Sequence, residues 1–344
     1  MENDKKKIVS IIIPCYNAEK TIVRCLDSIN DSSYSNSFIE VLLVDGMSSD
    51  KTLLTVKEYQ NKNNLDIKVI DNKKKYQNFG FNLGVDSSQG EIVMRLDAHS
   101  TIAKEFLTSS LEFLSRNTEA MAIGCLIETK PQNKNSLIGT GISIVMSSIF
   151  GVGGSKFRTL KETKKNKFIT VDTAPFCCYR KEIFQIIGKY NELLLNSEDL
   201  EFHKRMNINN LKTFMNTGIT NTYYSRSNYI DFIKHCFRNG RWSILPISIS
   251  DHFIFSVRHL VPLFFTSGLL FLPVLSLLFS PTILILLTQL FLYFTLSMYF
   301  SILNIKKEKN FLIIPTTFVL YFTLHFFYGL GSLSVIHALL KGKK

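Results

Sequence analysis

The segment IVSIIIPCYNAEKTIVRCLDSI, residues 8 to 29, predicts a buried β-strand that turns at Pro14 into an α-helix. The apolar run IVSIII has the length of a strand, and apolar side chains then recur at helical spacing at Ile22, Val23, Leu26 and Ile29. Two similar units follow, with strands in FIEVLLVD (38–45) and DIKVI (66–70), each leading through a loop into a helix. Strands that alternate with helices are typical of an α/β fold with a parallel sheet.

Polar residues stand where three of these strands end. Asn17 follows the first strand, Asp45 ends the second, and EIVMRLDAH (91–99) ends in Asp97 and His99. Ligands of parallel sheets bind beyond the carboxyl ends of the strands, so we expect these side chains at one binding edge. On an extended chain Asp97 and His99 share a face and could hold one ion or phosphate, although a turn aspartate with a structural histidine is the alternative. Neither a P-loop nor a dinucleotide-binding glycine motif is present.

The last third of the chain is apolar enough for a membrane. From Leu260 onward, stretches of about 20 residues carry hardly any charge, which is typical of bilayer-spanning helices. The apolar run at the N-terminus is too short for a secretory signal and ends at Pro14, so the first domain is expected to remain in the cytoplasm. We therefore predict a cytoplasmic domain over 1–227, an amphipathic membrane-interface segment over 228–258, and about three transmembrane helices over 259–344, in a multi-pass protein of the cell membrane.

The direction of the last predicted helix is open. A hairpin that turns near Pro281 would leave Lys306, Lys307 and Lys309 inside, as the positive-inside rule requires. Three full crossings would however leave the terminal lysines outside, against that rule; these are Lys341, Lys343 and Lys344. The last segment could instead be re-entrant, or end in an interfacial helix near Gly329 and Gly331.

Charge and cysteine content exclude some classes of protein. The net charge is +12, but no nucleic-acid motif with interleaved aromatic residues accompanies the basic runs, and no nucleic-acid partner is predicted. Basic residues are expected on the cytoplasmic side of a membrane protein, where they face anionic headgroups. The six cysteines show no metal-binding C-x-x-C pair and are predicted to be buried, reduced thiols.

Four blocks between residues 8 and 215 together resemble the inverting nucleotide-sugar glycosyltransferases of family 2. The opening segment resembles that family's first strand and helix, VLLVDGMSSDKT resembles its uridine-binding segment, and RLDAH stands where the family has Asp-X-Asp. Ser197-Glu198-Asp199 stands at the place of its Thr-Glu-Asp motif. GVGGSKFR, VDT and HFFYGLG make the chain most similar to membrane-anchored exopolysaccharide glucosyltransferases of the succinoglycan type. The resemblance implies an α/β GT-A domain with a mainly parallel central sheet, followed by a C-terminal helical membrane region.

The resemblance also implies a reaction. The enzyme would move a sugar, expected to be glucose, from a UDP-sugar to a lipid-linked or polysaccharide acceptor with inversion, in exopolysaccharide or other surface-glycan synthesis. A lipid-linked saccharide and the membrane would be its partners. The implied substrate-binding residues in the α/β domain are Pro14, Asn17, Asp45, Asp97 and Glu198.

A divalent metal, Mg²⁺ or Mn²⁺, is the implied cofactor, with Asp97 and His99 as its ligands. His99 replaces the second aspartate of Asp-X-Asp. Oxygen donors suit these metals better than imidazole, so His99 could instead donate a hydrogen bond to a diphosphate oxygen. Both roles remain open from the sequence.

The resemblance makes Asp199 the candidate general base, which would accept a proton from the acceptor hydroxyl. Glu198 and Glu201 are the competing carboxylates. The same residues also suit the N-terminus of a helix, with Ser197 as cap and acids favoured by the helix dipole.

FRNGRW (237–242) resembles the Gln-X-X-Arg-Trp motif of processive family members, with Arg238 in place of Gln. Arg241 could bind diphosphate and Trp242 could stack on a sugar, but both also suit a membrane-interface helix. The missing Gln argues against a processive polysaccharide synthase. The sequence also leaves open a non-catalytic membrane-anchored nucleotide-sugar-binding protein, a glycosidase and a small transporter.

Overall fold

The computed structural model describes residues 8–165, 167–249, 257–303 and 310–340. The chain divides into two compact units, Met1–Glu128 with Leu160–Tyr223 and Thr129–Thr159 with Tyr224–Lys344. The sequence prediction assigned 129–159 to the first domain, whereas this segment belongs to the second unit. The physical reason is its packing on apolar helices of that unit.

One sheet contains nine strands of the described chain. They are β1 (Val9–Cys15), β2 (Ile39–Asp45), β3 (Ile67–Asp71), β4 (Ile92–Arg95), β5 (Ser100–Thr101), β6 (Ala120–Pro131), β7 (Phe168–Val171), β8 (Cys178–Arg180) and β9 (Lys212–Ser225). The strand order is β3-β2-β1-β4-β8-β6-β9-β5, and β7 pairs with β9. The predicted parallel arrangement is confirmed for β3, β2, β1 and β4. The sheet continues with antiparallel pairs from β8 onward, so the whole sheet is mixed.

The helices alternate with the first strands and then dominate the C-terminal region. They are α1 (Ile22–Asn30), α2 (Thr52–Gln60), α3 (Gln77–Ser87), α4 (Phe106–Arg116), α5 (Leu137–Val145), α6 (Ile149–Val152), α7 (Lys156–Thr159), α8 (Ile183–Ile186), α9 (Glu198–Ile208), α10 (Tyr229–Ile244), α11 (Leu260–Leu278), α12 (Thr282–Leu303) and α13 (Ile313–Leu340). Short 3-10 helices cover Asn36–Phe38, Leu245–Ser248 and Val257–His259.

The three inner parallel strands, β1, β2 and β4, are largely buried, whereas the edge strand β3 is mostly exposed. Every residue of β2 is buried, which explains its apolar run Val41–Val44, and the buried Glu40 carboxylate accepts hydrogen bonds from the Ser10 hydroxyl and the Gln89 amide.

α3 approaches β1 closely at Gly84, where a Cβ atom would lie 2.4 Å from the Ile12 side chain. In α1 the predicted apolar face is confirmed except at Val23, which is exposed, while Cys25 is buried in its place. All six cysteines are free and buried, as predicted.

The second unit is built around α13. Gly141 of α5 lies so close to α13 that a Cβ atom would be 2.7 Å from Leu320. The ring of Phe150 in α6 packs edge-on against Tyr321 of the same helix. These contacts explain why the segment containing α5 and α6 belongs to this unit.

Three helices, α11, α12 and α13, are long and apolar enough to cross a membrane. Only three residues, 279–281, separate α11 from α12, in agreement with the hairpin predicted near Pro281. The lysines used in the orientation prediction, at 306, 307, 309, 341, 343 and 344, lie outside the described residues.

Candidate active site

The carboxyl ends of β1, β2 and β4 lie side by side, because β1 pairs in parallel with both neighbours. Pro14 and Cys15 stand opposite Val44 and Asp45 in the register of β1 and β2. The end of β4 lies at the same edge, where the Leu96 amide donates a 2.9 Å hydrogen bond to the Ile12 carbonyl. The predicted strand ends therefore do meet at one edge of the sheet.

Asp45 organises the loop that follows β2. It is only 2% exposed and accepts hydrogen bonds from the Ser48 amide (2.8 Å) and the Ser48 hydroxyl (2.5 Å). The Cys15 thiol also lies 3.7 Å from Asp45 Oδ1. Gly46 permits this tight packing, since a Cβ atom there would lie 3.2 Å from the carbonyl oxygens of both Cys15 and Lys75.

Asn17 connects the loops after β1 and β2. Its amide donates to Ser48 Oγ over 2.9 Å, and its side-chain oxygen accepts from the Ser49 amide over 2.9 Å. Its φ of 50° is in the left-handed region, which asparagine tolerates better than most residues. Asn17, Asp45 and Ser48 thus form one hydrogen-bonded unit at the sheet edge.

Asp97 and His99 do not lie on an extended chain. β4 ends at Arg95, and residues 97–100 turn, with the Ser100 amide donating to the Asp97 carbonyl over 2.9 Å. The His99 ring packs edge-on against Tyr223, with centroids 4.9 Å apart. The prediction that the two side chains share a strand face is therefore wrong, because the backbone reverses here to begin β5.

Arg95 joins the Asp97 turn to the Ser-Glu-Asp motif. Its Nη1 donates to Glu198 Oε1 over 2.8 Å, and its Nη2 donates to Asp97 Oδ1 over 3.3 Å. Gln77 Nε2 donates to the same Glu198 oxygen over 2.8 Å. The guanidinium also lies over the Tyr190 ring, 5.8 Å from its centroid. One buried cation thus connects the end of β4 with the beginning of α9.

The ion pair between Arg95 and Glu198 leaves one buried atom of each residue without a hydrogen-bond partner among the described residues. Glu198 is 1% exposed, and neither its Oε2 nor the Nε of Arg95 has a hydrogen-bond partner. Burial raises the pKa of Glu198 above its ordinary value, and the charge of Arg95 opposes that rise. A buried polar atom without a partner is costly, and a catalytic role or a bound water or ion is among its explanations.

The three acids at the start of α9 have different surroundings. Glu198 is held by Arg95 and Gln77. Glu201 is 3% exposed and forms a two-point ion pair with Arg205, at 2.7 and 2.9 Å. Arg205 in turn donates to the backbone carbonyls at positions 187 and 189. Asp199 alone among the three is partly exposed and not in an ion pair with a described residue.

The start of α9 departs from an ordinary helix cap. Ser197 occupies the N-cap position, but its side chain makes no capping hydrogen bond to the helix. Its φ of 65° is left-handed, which is uncommon for serine, and strained backbone of this kind is found in turns and at active sites. The helix-cap interpretation is therefore correct for the acids, which fill the first turn of α9, and wrong for Ser197, whose side chain does not cap the helix.

The side chain of His203, one turn further along α9, contacts the backbone carbonyl of Asp199. Its Nδ1 lies 2.9 Å from the Asp199 carbonyl oxygen, and its Nε2 lies 3.5 Å from the Tyr179 hydroxyl and 3.8 Å from Cys177 Sγ. Burial lowers the pKa of His203, which favours the neutral imidazole. A neutral imidazole with Nδ1 protonated donates to the Asp199 carbonyl and accepts at Nε2.

The residues at the Asp97 turn offer few metal ligands. Among the described residues, no group of three His, Cys, Asp or Glu side chains could hold a metal ion. Asp97 keeps 22% of its side chain exposed and uses Oδ1 toward Arg95. Mg²⁺ is often held by one or two carboxylates together with substrate phosphates and water, rather than by an all-protein cage. This donor set fits a divalent ion that a diphosphate helps to bind.

Arg238, Arg241 and Trp242 lie on α10 in the second unit. Arg238 and Arg241 are exposed, and Trp242 is half-buried. Arg238 Nη2 lies 3.5 Å from Nδ1 of His235 on the same helix.

Sequence reasoning missed three residues that organise the site, namely Arg95, Gln77 and His203. Arg95 left a detectable signal, because an arginine near the end of an otherwise apolar strand requires a partner. Gln77 and His203 gave no such signal, since polar residues at helix starts and on helix faces are common.

Residues 10–188 match the model of the family described as Glycosyl transferase family 2. The dolichyl N-acetyl-alpha-D-glucosaminyl phosphate 3-beta-D-2,3-diacetamido-2,3-dideoxy-beta-D-glucuronosyltransferase of Methanococcus voltae is 30% identical over 242 residues, covering 67% of this chain and 71% of its own length. The poly(ribitol-phosphate) beta-N-acetylglucosaminyltransferase TarS of Staphylococcus aureus is 32% identical over 108 residues, which is 31% of this chain and 19% of TarS.

Solved structures agree on the fold. TarS 1-349 in complex with UDP aligns with a TM-score of 0.50 at 19% identity, covering 97% of this chain and 92% of that chain. The mannosyltransferase PcManGT from Pyrobaculum calidifontis, in complex with GDP-Man and Mn²⁺, aligns with a TM-score of 0.58 at 14% identity, covering 96% and 88%. The fold is thus that of a GT-A glycosyltransferase. The chain belongs to glycosyl transferase family 2.

Proposed function

We propose that this glycosyltransferase moves a hexose, glucose in our assignment, from a UDP-sugar to a lipid-linked saccharide or polysaccharide acceptor, with inversion at the anomeric carbon. The product would be an exopolysaccharide or another surface glycan. The enzyme would be a multi-pass protein of the cell membrane with its catalytic unit in the cytoplasm.

One observation carries the proposal: Arg95 joins Asp97 at the end of β4 to Glu198 at the start of α9. The edge formed by Pro14, Asn17, Asp45 and Asp97 is the place for the nucleotide and its diphosphate. Asp199, next to Glu198, is the partly exposed carboxylate beside it. A donor edge and a candidate base are thereby brought together by one ion-pair network, which a glycosidase or a transporter would not require.

In the proposed reaction an acceptor hydroxyl attacks the anomeric carbon from the face opposite the diphosphate. Its oxygen forms the new glycosidic bond, its proton passes to a carboxylate oxygen of Asp199, and the bond to the diphosphate oxygen breaks. His203 holds the Asp199 carbonyl and so fixes the start of α9. Buried Glu198, with one unsatisfied oxygen, would accept a hydrogen bond from a donor hydroxyl.

Asp97 and His99 would hold a divalent metal, which would supply charge neutralisation for the diphosphate leaving group. His99 would either ligate that metal or donate to a diphosphate oxygen. Arg241 and Trp242 would contact the diphosphate or sugar of a substrate, and Arg238 would contribute a second cation on the same helix. The assignments of Arg238, Arg241 and Trp242 rest on the resemblance of FRNGRW to the Gln-X-X-Arg-Trp motif.

The ligands and names of related proteins support these partners. TarS has been solved with UDP, and the Methanococcus voltae relative is named for transfer to a dolichyl-linked sugar phosphate. PcManGT has been solved with Mn²⁺. A membrane-confined acceptor also agrees with the three long apolar helices of this chain.

The decisive experiment incubates membranes containing the full chain with a panel of labelled nucleotide sugars and lipid-linked acceptors. We expect label to enter a lipid-extractable product from UDP-glucose, and not with Asp199→Asn. Hydrolysis of glycosides without any nucleotide sugar would favour a glycosidase instead. Binding of UDP-sugars without turnover of any acceptor would favour a non-catalytic anchor.

A further inference from the structure

The turn that follows β4 presents two of its side chains to the surface and buries the two beside them. Ala98 and Ser100 are buried, whereas Asp97 and His99 are partly exposed. The groups of this turn that a bound metal or diphosphate can reach are therefore one carboxylate and one imidazole.

The end of β9 holds the backbone that follows His99. β5 is a strand of two residues, and it pairs with β9 in antiparallel fashion, with Ser100 opposite Tyr223. Just beyond β5, the Ala103 amide donates a 2.8 Å hydrogen bond to Oδ1 of Asn221, which is fully buried on β9. β9 therefore supports the end of the turn at two neighbouring points.

The side chain of Tyr223 also contacts the side chain of His99. The two ring centroids are 4.9 Å apart, and the ring planes are inclined by 70°, which is an edge-to-face arrangement. Aromatic rings prefer such an arrangement to a face-to-face sandwich, so the contact is attractive as well as steric. Both residues belong to the first compact unit. The same strand thus supports the backbone of the turn and contacts its imidazole.

An imidazole needs such a contact if it is to bind a ligand in one direction. Rotation of the ring about its bond to Cβ has broad minima, so the two nitrogens of an unsupported histidine point in many directions. A histidine that ligates a metal is usually held by an outer contact, most often a hydrogen bond at its second nitrogen. An aromatic ring packed against the imidazole restricts the same rotation.

We propose that Tyr223 is a positioning residue for His99, and that its ring orients the imidazole toward the diphosphate and metal of the nucleotide-sugar donor. Tyr223 acts through His99 and needs no contact with the substrate. The role is the same whether His99 ligates the metal or donates to a diphosphate oxygen, because both require a fixed direction of one imidazole nitrogen. The inference deepens the proposed function and rests on it.

Binding of UDP in the presence of Mn²⁺ tests the proposal without any transfer of sugar. The full-length protein is solubilised in detergent, and the affinity is measured by calorimetry. Tyr223→Leu removes the aromatic ring and keeps an apolar side chain. We expect the affinity to fall by about two- to tenfold, which corresponds to the loss of one aromatic pair. Unchanged affinity together with a lowered melting temperature would make Tyr223 a purely structural residue and overturn the proposal.

Two further variants separate the ring from the hydroxyl and from the strand. Tyr223→Phe keeps the ring, and its affinity should be close to that of the unmodified chain. Thr222→Val changes the next residue of β9, whose side chain lies on the opposite face of the strand, and should leave the affinity unchanged. If either variant lost as much affinity as Tyr223→Leu, the effect would belong to the hydroxyl or to the strand, and the proposal would be wrong.

A double-variant cycle shows whether Tyr223 acts through His99. The variants His99→Asp and His99→Gln have no ring to orient, so adding Tyr223→Leu to either should cause no further loss of affinity. An equal loss with and without the imidazole would make Tyr223 a general support of the turn, which contradicts the proposal.

Failure of this inference can be distinguished from failure of the proposed function. An unmodified chain that transfers sugar, with Tyr223→Leu binding UDP and Mn²⁺ equally well, would overturn the inference alone. A chain that binds UDP and Mn²⁺ in the expected order of variants but transfers sugar to no acceptor would overturn the proposed function alone. An unmodified chain that binds no UDP in the presence of Mn²⁺ would overturn both.

Discussion

Arg95 Nη1 donates a 2.8 Å hydrogen bond to Glu198 Oε1, and the two residues are 103 positions apart in the chain. The pair is buried, with side-chain exposures of 11% and 1%. It joins the end of a parallel strand to the first turn of α9. Through Arg95, which also contacts Asp97, it links the turn after β4 to the helix that carries Asp199.

Replacing Arg95 with methionine should destabilise the protein strongly. The change leaves the Glu198 carboxylate buried without its cation, and breaking a buried pair in this way typically costs about 3 to 5 kcal/mol. We expect a clear fall in the melting temperature of the detergent-solubilised protein, together with loss of transfer. The double variant Arg95→Met/Glu198→Met should recover most of the melting temperature without recovering transfer. A single variant as stable as the unmodified chain would show that the pair contributes little.

Asp199→Asn should lower the rate of transfer by roughly two to four orders of magnitude, the usual contribution of a general base. The amide has nearly the same size but cannot accept the proton of the acceptor hydroxyl. Affinity for the nucleotide sugar should change much less, since Asp45 and Asp97 are assigned to the donor. The measurement is single-turnover transfer alongside equilibrium binding of the donor.

Glu201→Gln is the matched control for Asp199→Asn, because Glu201 is already engaged by Arg205. It should lower thermal stability and leave transfer per folded molecule within several-fold of normal. If Glu201→Gln or Glu198→Gln abolished transfer while Asp199→Asn did not, the base would be a different residue.

Removal of divalent metal by a chelator should abolish transfer, and Mn²⁺ or Mg²⁺ should restore it. Asp97→Ala should be nearly inactive at any metal concentration. His99→Asp should retain much of the activity, since aspartate supplies an oxygen donor that suits these ions. Activity that survives chelation would contradict the metal assignment. An inactive but still metal-responsive His99→Asp would identify His99 as a hydrogen-bond donor to the diphosphate.

The stability of the first unit should fall with acid because of His203. Burial lowers the pKa of His203 below its ordinary value of about 6.5. The unfolded chain therefore binds more protons as the pH falls below about 6.5, and the stabilisation is lost progressively toward the lowered pKa. His203→Gln should reduce the difference between melting temperatures measured at about pH 7.5 and about pH 5.5, on either side of the unfolded pKa. An unchanged difference would show that another group is responsible.

Much of the fold could be predicted because the signals are local. The apolar run of β2 and the loop that follows it are adjacent in the chain, so a strand that ends at Asp45 is evident from the sequence. Alternation with helices then implies parallel pairing, which places Asp45 and Asp97 at one edge. The long apolar helices near the C-terminus likewise follow from composition alone. The four family blocks identified the transferase class for the same reason, because each is a continuous segment.

The site required the tertiary structure because its contacts join distant segments. No local pattern distinguishes Glu198 from Asp199, which are neighbours in the chain. Their surroundings differ because Arg95 and Gln77, from distant segments, pack against Glu198 and bury it. The turn at Asp97 and His99 is decided by the pairing of β5 with β9, far along the chain.

The same reason applies to the membrane region. Length and hydropathy allow α13, like α11 and α12, to cross a membrane, although α13 is the least apolar of the three. Its packing against the charged helix α10 is a property of the folded bundle, since apolar helices can be covered by protein or by lipid. The sequence by itself determined which segments are apolar and where the acids stand, and the tertiary structure decided which of those acids are paired and which of those helices are covered.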